Sequence, residues 1–168
     1  MTDPGHHGAP QPQLYTDAER QRRDSSPWTL VQGILAPVQF LIFLISLGLV
    51  MRTLITGEGA FAAHLSILAK TLALYTIMIT GALWEKDVFG QYLFAPAFFW
   101  EDVVSFVVIA LHTLYLTGLV FGLMDDRALF IITLLAYATY VVNAAQFLWK
   151  LRVARLTATR SQTMGATL

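Results

Sequence analysis

"WTLVQGILAPVQFLIFLISLGLVM", residues 28 to 51, decides the fold class because it is long, largely apolar and free of charged residues. A helix needs about 20 such residues to cross the roughly 30 Å hydrocarbon core of a bilayer. Comparable stretches follow, so that the predicted spans are about 28–51, 65–84, 97–124 and 128–149. The sequence therefore predicts an all-α membrane protein with a bundle of four transmembrane helices.

Composition supports this class and excludes others. Of the 168 residues, 56% are hydrophobic and 13% are charged, whereas a soluble domain carries roughly 25% charged residues. The 11 basic and 11 acidic residues cancel, so no basic field favours nucleic acid as a partner. The absence of cysteine excludes disulfides, iron–sulfur clusters and thiolate metal sites.

The two ends of the chain are predicted to be tails. Residues 1–27 are rich in Pro, Gly, Gln and charge and lack the apolar core of a signal peptide, which indicates a disordered cytoplasmic tail. Residues 28–156 form the predicted transmembrane domain, and residues 157–168 a second cytoplasmic tail. Ser26 is the expected N-cap of the first span, with Pro27 at its first helical position.

The distribution of Lys and Arg predicts the orientation, because cytoplasmic loops carry the excess of basic residues. With four spans, both termini and the second connection share one side. Only Arg52 and Arg127 fall on the opposite side. The shared side has eight basic residues and should be cytoplasmic: Arg20, Arg22, Arg23, Lys86, Lys150, Arg152, Arg155 and Arg160.

Lys70 is the one basic residue inside a predicted span. It lies about a turn and a half from the His64 end, so we expect its ammonium group to reach the interface.

Polar residues at helical spacing mark the predicted inner faces of the bundle. Glu101, Ser105, Val108, His112 and Tyr115 form one stripe, with an acid near the cytoplasm and an imidazole in mid-membrane. Polar side chains in other spans converge towards the same leaflet: Gln32, Gln39, Glu85, Asn143 and Gln146. Two interpretations remain open, since such groups serve either as hydrogen-bond partners between helices or as contacts to a ligand.

Three carboxylates are the candidate catalytic groups. Glu101 and Asp102 are adjacent, so they point about 100° apart on a helix and only one should face squarely inward. Capping of the helix dipole is the alternative role for both. Glu85, in "WEKD", lies at the same end of the bundle.

Residues 84–100 hold a third of the chain's 21 aromatic residues, among them Trp84, Phe98 and Trp100. They fit either an aromatic belt at the membrane interface or an apolar wall for a planar ring system. His112 needs a partner or a ligand at its depth, and neutral imidazole is a common metal ligand.

Long strings of this sequence resemble the 3-vinyl bacteriochlorophyllide hydratase family of bacteriochlorophyll biosynthesis, over about residues 20 to 156. They are "RRDSSPWTLVQGILAPVQFLIFLISL" at the first span, "LYTIMITGALWEKDVFGQYLFAPAFFWEDVVS" across the second and third, and "AYATYVVNAAQFLWKLRVARL" in the fourth.

The resemblance implies a hydro-lyase that adds water to the C3 vinyl group of a chlorophyllide or bacteriochlorophyllide, giving a C3 1-hydroxyethyl group. It implies no cofactor beyond the magnesium that the substrate carries. The bilayer and other bacteriochlorophyll-biosynthesis enzymes are the expected surroundings, in the cytoplasmic or intracytoplasmic photosynthetic membrane of a bacterium. A pigment-binding or assembly protein without enzymatic activity is the alternative.

Chemistry and position suggest roles for the residues. We expect Glu101 or Glu85 to protonate the terminal vinyl carbon and Asp102 to orient or deprotonate the water. The expected substrate contacts are Gln32, Gln39, Trp84, Phe98, Trp100, His112 and Asn143, with His112 or a water held by Asn143 as axial ligand of the substrate's magnesium.

Overall fold

The computed structural model describes residues 14–165, with side chains described as far as Val153. That part of the chain holds five helices and no strand. They are α1 (Asp17–Ser25), α2 (Pro27–Thr56), α3 (Ala60–Phe89), α4 (Phe99–Val120) and α5 (Asp126–Gly165). The predicted all-α class is confirmed.

Four of the described helices are long and apolar enough to cross a membrane, over Pro27–Thr56, Ala60–Phe89, Phe99–Val120 and Asp126–Val153. They coincide with the four predicted stretches. α2 and α3 extend beyond the predicted stretches, α2 through residues 52–56 and α3 through residues 60–64 and 85–89. α4 is shorter than predicted, since Phe98 and Phe121 lie at its two caps.

The helices pair as two antiparallel hairpins. α2 packs along α3, and the connection between them uses Gly57 and Gly59, both in the left-handed backbone region that glycine adopts easily. α4 packs along α5 in the second hairpin. Contacts of α2 with α5 and of α3 with α4 join the two hairpins into one bundle.

Gly118 sets how closely the second hairpin packs. A Cβ atom at this position would lie 2.9 Å from Leu129 Cδ2 and 3.3 Å from Met124 Sδ. Because real Cβ atoms do not approach that closely, a glycine is needed where α4 crosses the start of α5.

The ends of the bundle differ in chemistry. The end where α3 finishes and α4 begins has a buried aromatic cluster around Tyr15, Val88 and Phe98, with Trp84, Phe89 and Phe147 packed against it. At the opposite end His64 bonds Tyr115 Oη through Nδ1 at 2.7 Å and contacts Asp126 through Nε2 at 3.1 Å.

Residues 17–25 form a helix inside the range predicted to be a disordered tail. The difference has a local cause: Thr16 and Glu19 form a reciprocal capping box, in which the Thr16 side chain accepts from the Glu19 N–H. Tyr15 anchors the segment by stacking on Phe89, with 5.8 Å between ring centroids. Residues 1–13 lie outside the described part. α5 continues through much of the predicted C-terminal tail, as far as Gly165.

The expectation for Lys70 is wrong. Its side chain is fully buried, at 0% exposure, rather than extended to the interface. Lys70 faces the other hairpin, where its Nζ lies 3.5 Å from the ring centroid of Tyr140. Because the neighbouring helix covers the side chain, the route to the interface that we expected is closed.

Candidate functional site

Three carboxyl groups and one amine meet at the end of the bundle where α3 finishes and α4 begins. Glu85 comes from the last turns of α3, Glu101 and Asp102 from the first turn of α4, and Lys150 from α5. All three acids are buried. We refer to these four residues as the acidic cluster.

Glu85 and Asp102 form a carboxyl pair. Their side chains are close neighbours, and two carboxyl groups that share a buried site favour a state in which one of them carries a proton. Successive N–H groups of the connection between α3 and α4 bind the pair. Phe94 N–H donates to Asp102 Oδ2 at 2.6 Å, and Ala95 N–H donates to Glu85 Oε2 at 3.1 Å.

The connection adopts an unusual backbone conformation at that point. Phe94 has a φ of 60°, which is rare for a residue other than glycine. Such conformations persist where the surroundings hold them, and they concentrate at functional sites. Here the conformation aims two neighbouring N–H groups at two acids, so the connection acts as an anion-binding turn for the pair.

Glu101 has a different partner. Lys150 Nζ lies 2.6 Å from Glu101 Oε2 and also donates to the Ala97 carbonyl. Glu101 is therefore the ion-pair partner of Lys150 rather than a member of the carboxyl pair. Lys150 also ties α5 to the aromatic connection, and its Nζ lies 4.9 Å from the ring centroid of Phe98.

The expectation that only one of the two adjacent acids faces inward is wrong. Both Glu101 and Asp102 are buried, because each meets a different neighbour. Asp102 faces α3 and the connection, whereas Glu101 faces α5. Asp102 is also not the N-cap of α4: that position is Phe98, which makes no side-chain capping bond.

The predicted aromatic contacts divide into two groups. Phe98 is buried and lies edge-on to Trp84, with 5.5 Å between centroids, next to the acidic cluster. Trp84 is fixed by a 2.9 Å hydrogen bond from Nε1 to Thr29 Oγ1. Trp100 instead is 68% exposed and contacts Phe99 on the outside of the bundle, as expected for an interface belt.

The amide side chains predicted to contact the substrate differ in whether their polar atoms already have hydrogen-bond partners. Gln32 donates to Thr80 Oγ1 at 2.7 Å, which makes it a hydrogen-bond link between α2 and α3. Asn143 donates to Ser105 Oγ at 2.7 Å, but its Oδ1 has no partner among the described residues. Gln39 Nε2 and Gln146 Oε1 are likewise buried without a described partner. Such groups are available to a ligand or to water.

His112 lies on the predicted inner face of α4 and is buried. Its Nδ1 is 2.8 Å from the Val108 carbonyl, which can only accept, so Nδ1 carries the proton. The lone pair of the neutral ring is then on Nε2, and this buried atom has no partner among the described residues. A histidine oriented through its other nitrogen in this way is arranged as metal ligands usually are.

His112 and Glu101 are eleven residues apart on one helix, or about 16 Å along its axis. They therefore cannot contact one small functional group, although they can contact different parts of a large ligand. Within residues 14–153 no group of three or more His, Cys, Asp and Glu side chains is arranged to hold a metal ion of the protein's own.

Sequence reasoning missed two lysines. Lys150 entered only as a charge that sets orientation, and Lys70 only as a residue expected at the interface. The burial of Lys70 had a signal: in the sequence it is three and four residues from Ile67 and Leu74, both buried in the bundle. Nothing local in the sequence identifies the pairing of Lys150 with Glu101.

Comparison with known proteins gives consistent matches. A family model described as 2-vinyl bacteriochlorophyllide hydratase matches residues 15–153. A protein of Rhodobacter capsulatus with that name is 70% identical over 145 residues, which cover 86% of this chain and 84% of the relative. One of Cereibacter sphaeroides with the same name is 68% identical over 148 residues, covering 88% and 92%. No solved structure matches.

Proposed function

Because this chain belongs to the 2-vinyl bacteriochlorophyllide hydratase family and is a hydro-lyase of bacteriochlorophyll biosynthesis, we propose that its acidic cluster is where water is added. The substrate is a chlorophyllide or bacteriochlorophyllide. The reacting group is the vinyl group that the family description numbers 2. The same group is at C3 in the other numbering of the macrocycle. The product carries a 1-hydroxyethyl group at that position.

The Glu85–Asp102 carboxyl pair, held by two neighbouring backbone N–H groups, carries this proposal. It supplies a protonated carboxyl and a carboxylate side by side, in a buried site next to Trp84 and Phe98. Asp102 accepts the shorter of the two backbone hydrogen bonds, from Phe94 N–H, which favours its ionised form relative to that of Glu85. Glu85 therefore holds the shared proton and is the general acid. Of the two donors that the sequence left open, Glu101 and Glu85, this proposal takes Glu85.

The reaction balances without a redox partner. Glu85 gives its proton to the terminal vinyl carbon, and the positive charge that forms on the inner carbon is delocalised into the macrocycle. The carboxylates beside it stabilise that charge, since they are in place before the reaction. Water adds to the inner carbon and loses a proton to Asp102, after which the pair again shares one proton.

The Glu101–Lys150 ion pair positions the site. Lys150 bonds both Glu101 and the Ala97 carbonyl, so it fixes the aromatic connection that binds the reacting carboxyl pair. Trp84 and Phe98 form the apolar wall beside the vinyl group. His112, deeper in the bundle, contacts the substrate's magnesium through the Nε2 lone pair.

The chain is a multi-pass membrane protein, and we place the acidic cluster at the cytoplasmic face. The eight-to-two distribution of Lys and Arg supports that orientation. It also places the reaction in the cytoplasmic or intracytoplasmic membrane of the bacterium, where other enzymes of the pathway would deliver the pigment.

Isotope labelling tests the direction of addition. Early in a reaction run in D2O enriched in 18O, the product should contain one deuterium in the new methyl group and 18O on the carbon attached to the macrocycle. A product with oxygen on the terminal carbon would contradict protonation by Glu85. The absence of any hydrated product would exclude the cluster as a hydration site.

A further inference from the structure

Lys70 has an uncompensated amine in the interior of the bundle. It is fully buried on the inner face of α3, fifteen residues before Glu85, and its Nζ has no hydrogen-bond partner among the described residues. No carboxylate among the described residues forms an ion pair with Lys70. A buried ammonium without a counter-ion costs several kcal/mol, so such groups are normally paired or functional.

The surroundings of Lys70 are aromatic and donor-rich. Its Nζ lies 3.5 Å from the ring centroid of Tyr140 and 5.9 Å from that of Phe43. Gln39, one turn before Phe43 on α2, contributes a second buried donor without a described partner, Nε2. A buried amine with no acceptor of its own suits an anionic ligand, and the free donor of Gln39 lies on the same helix as Phe43.

We propose that Lys70, assisted by Gln39, binds the free carboxylate of the pigment and makes the enzyme selective for the free acid over its ester. The inference rests on the proposed function, because that function supplies a ligand with such a group: a chlorophyllide carries a propionate side chain that is esterified in the mature pigment. The carboxylate gives Lys70 its counter-ion, and Lys70 gives the carboxylate a charge-assisted hydrogen bond.

The spacing of the two sites agrees with one substrate in one orientation. Lys70 and Glu85 are about 22 Å apart along α3, from 15 residues at 1.5 Å each. A chlorin with its vinyl and propionate groups can bridge that distance, together with the side chains of Lys70 and Glu85. His112 lies between the two levels, where the macrocycle's magnesium would be. Lys70 then fixes the end of the pigment away from the reacting vinyl group.

A comparison of two substrates with three variants tests the proposal. The full-length protein in lipid nanodiscs is assayed with the vinyl pigment as the free acid and as the methyl ester of the propionate. Wild type should have a KM for the acid that is on the order of tenfold lower than for the ester, as expected for a hydrogen bond between charged groups. Lys70→Met should raise the KM for the acid to the ester's value and leave the ester unchanged.

Lys86→Met is the matched control, since it removes an exposed lysine that bonds the Gly90 carbonyl. It should leave the acid-to-ester ratio of KM values as in wild type. Equal KM values for acid and ester in wild type would overturn the proposal without any variant. A Lys70→Met enzyme that keeps the wild-type ratio, or that loses both substrates equally, would also overturn it.

The same measurements separate this proposal from that for Glu85. Glu85→Gln should lower kcat for acid and ester alike while keeping the ratio of their KM values. If Glu85→Gln keeps a normal kcat and Lys70→Met has equal KM values for acid and ester, Glu85 is rejected as the proton donor and the carboxylate site is retained. The opposite pair of results would reject the carboxylate site alone.

Discussion

Glu85 and Asp102 are neighbours in a buried carboxyl pair, although one lies in the last turns of a transmembrane helix and the other in the first turn of the next. Two backbone N–H groups of the aromatic connection, from Phe94 and Ala95, fix the pair at distances of 2.6 and 3.1 Å. In the proposed mechanism the pair holds one proton beside one negative charge in a buried site. Acid-catalysed hydration of a vinyl group needs this combination.

The ion pair at the cluster predicts an asymmetric effect on stability. Lys150→Met leaves the buried Glu101 carboxylate without compensation, and loss of one partner of a buried pair costs roughly 3–5 kcal/mol. The loss should be at the lower end, because Lys150 is partly exposed. Adding Glu101→Gln to Lys150→Met should recover part of it. Thermal unfolding in detergent measures both, and equal stability of Lys150→Met and wild type would contradict the pairing.

Two glycines in different surroundings should respond oppositely to substitution by alanine. Gly118 lies where α4 crosses α5, whereas Gly48 lies in α2. Gly118→Ala places a methyl group 2.9 Å from Leu129 Cδ2, so the free energy of unfolding should fall by roughly 1–3 kcal/mol. Gly48→Ala, in the helix α2 with no heavy atom within 4 Å of its Cβ position, should be neutral or stabilising. Unfolding of the two variants under one set of conditions gives the comparison. A more stable Gly118→Ala would show that the helices do not pack this closely.

Much of the fold follows from the sequence because it depends on segment length. Apolar stretches of about 20 residues identify the four long helices, and 3.6-residue periodicity identifies the inner face of α4. α1 was missed although its capping signal, Thr16 followed by Glu19, is present in the sequence. The polar, charged composition of residues 1–27 outweighed that signal, and the packing of Tyr15 on Phe89 is a tertiary contact.

The site could be predicted only as a set of residue types. The sequence places Glu85, Glu101 and Asp102 at one end of the bundle, but it does not tell which acid meets which partner. Lys150 is 49 positions from Glu101, and the φ of 60° at Phe94 has no glycine to signal it. Both features change the proposed assignment, because they make Glu101 the ion-pair partner of Lys150 and place Glu85 and Asp102 together at the connection.

The free nitrogen of His112 predicts a loss of pigment affinity. His112→Phe should weaken binding by about tenfold, or about 1.4 kcal/mol, while the protein stays folded in the membrane. The absorption change on pigment binding reports the affinity. His64→Phe is the comparison, because both nitrogens of His64 are already partnered by Tyr115 and Asp126, so pigment affinity should not change. Unchanged affinity in His112→Phe would make His112 a packing residue.

The asymmetry of basic residues predicts the orientation of the bundle. A reporter fused after residue 165 should be active only in the cytoplasm, and one inserted in the connection at residues 57–59 only in the periplasm. The reverse pattern would place the acidic cluster at the periplasmic face.

The rate of hydration in three isosteric variants tests the central claim most directly. Glu85→Gln should keep pigment affinity and lose roughly 10²-fold or more in kcat, as expected for removal of a general acid. Asp102→Asn should also lose turnover, because the acceptor for the water's proton is gone. Glu101→Gln should retain most of it, since Lys150 still bonds the Ala97 carbonyl. Near-normal turnover in Glu85→Gln, with Glu101→Gln inactive, would contradict the account and return the proton to Glu101.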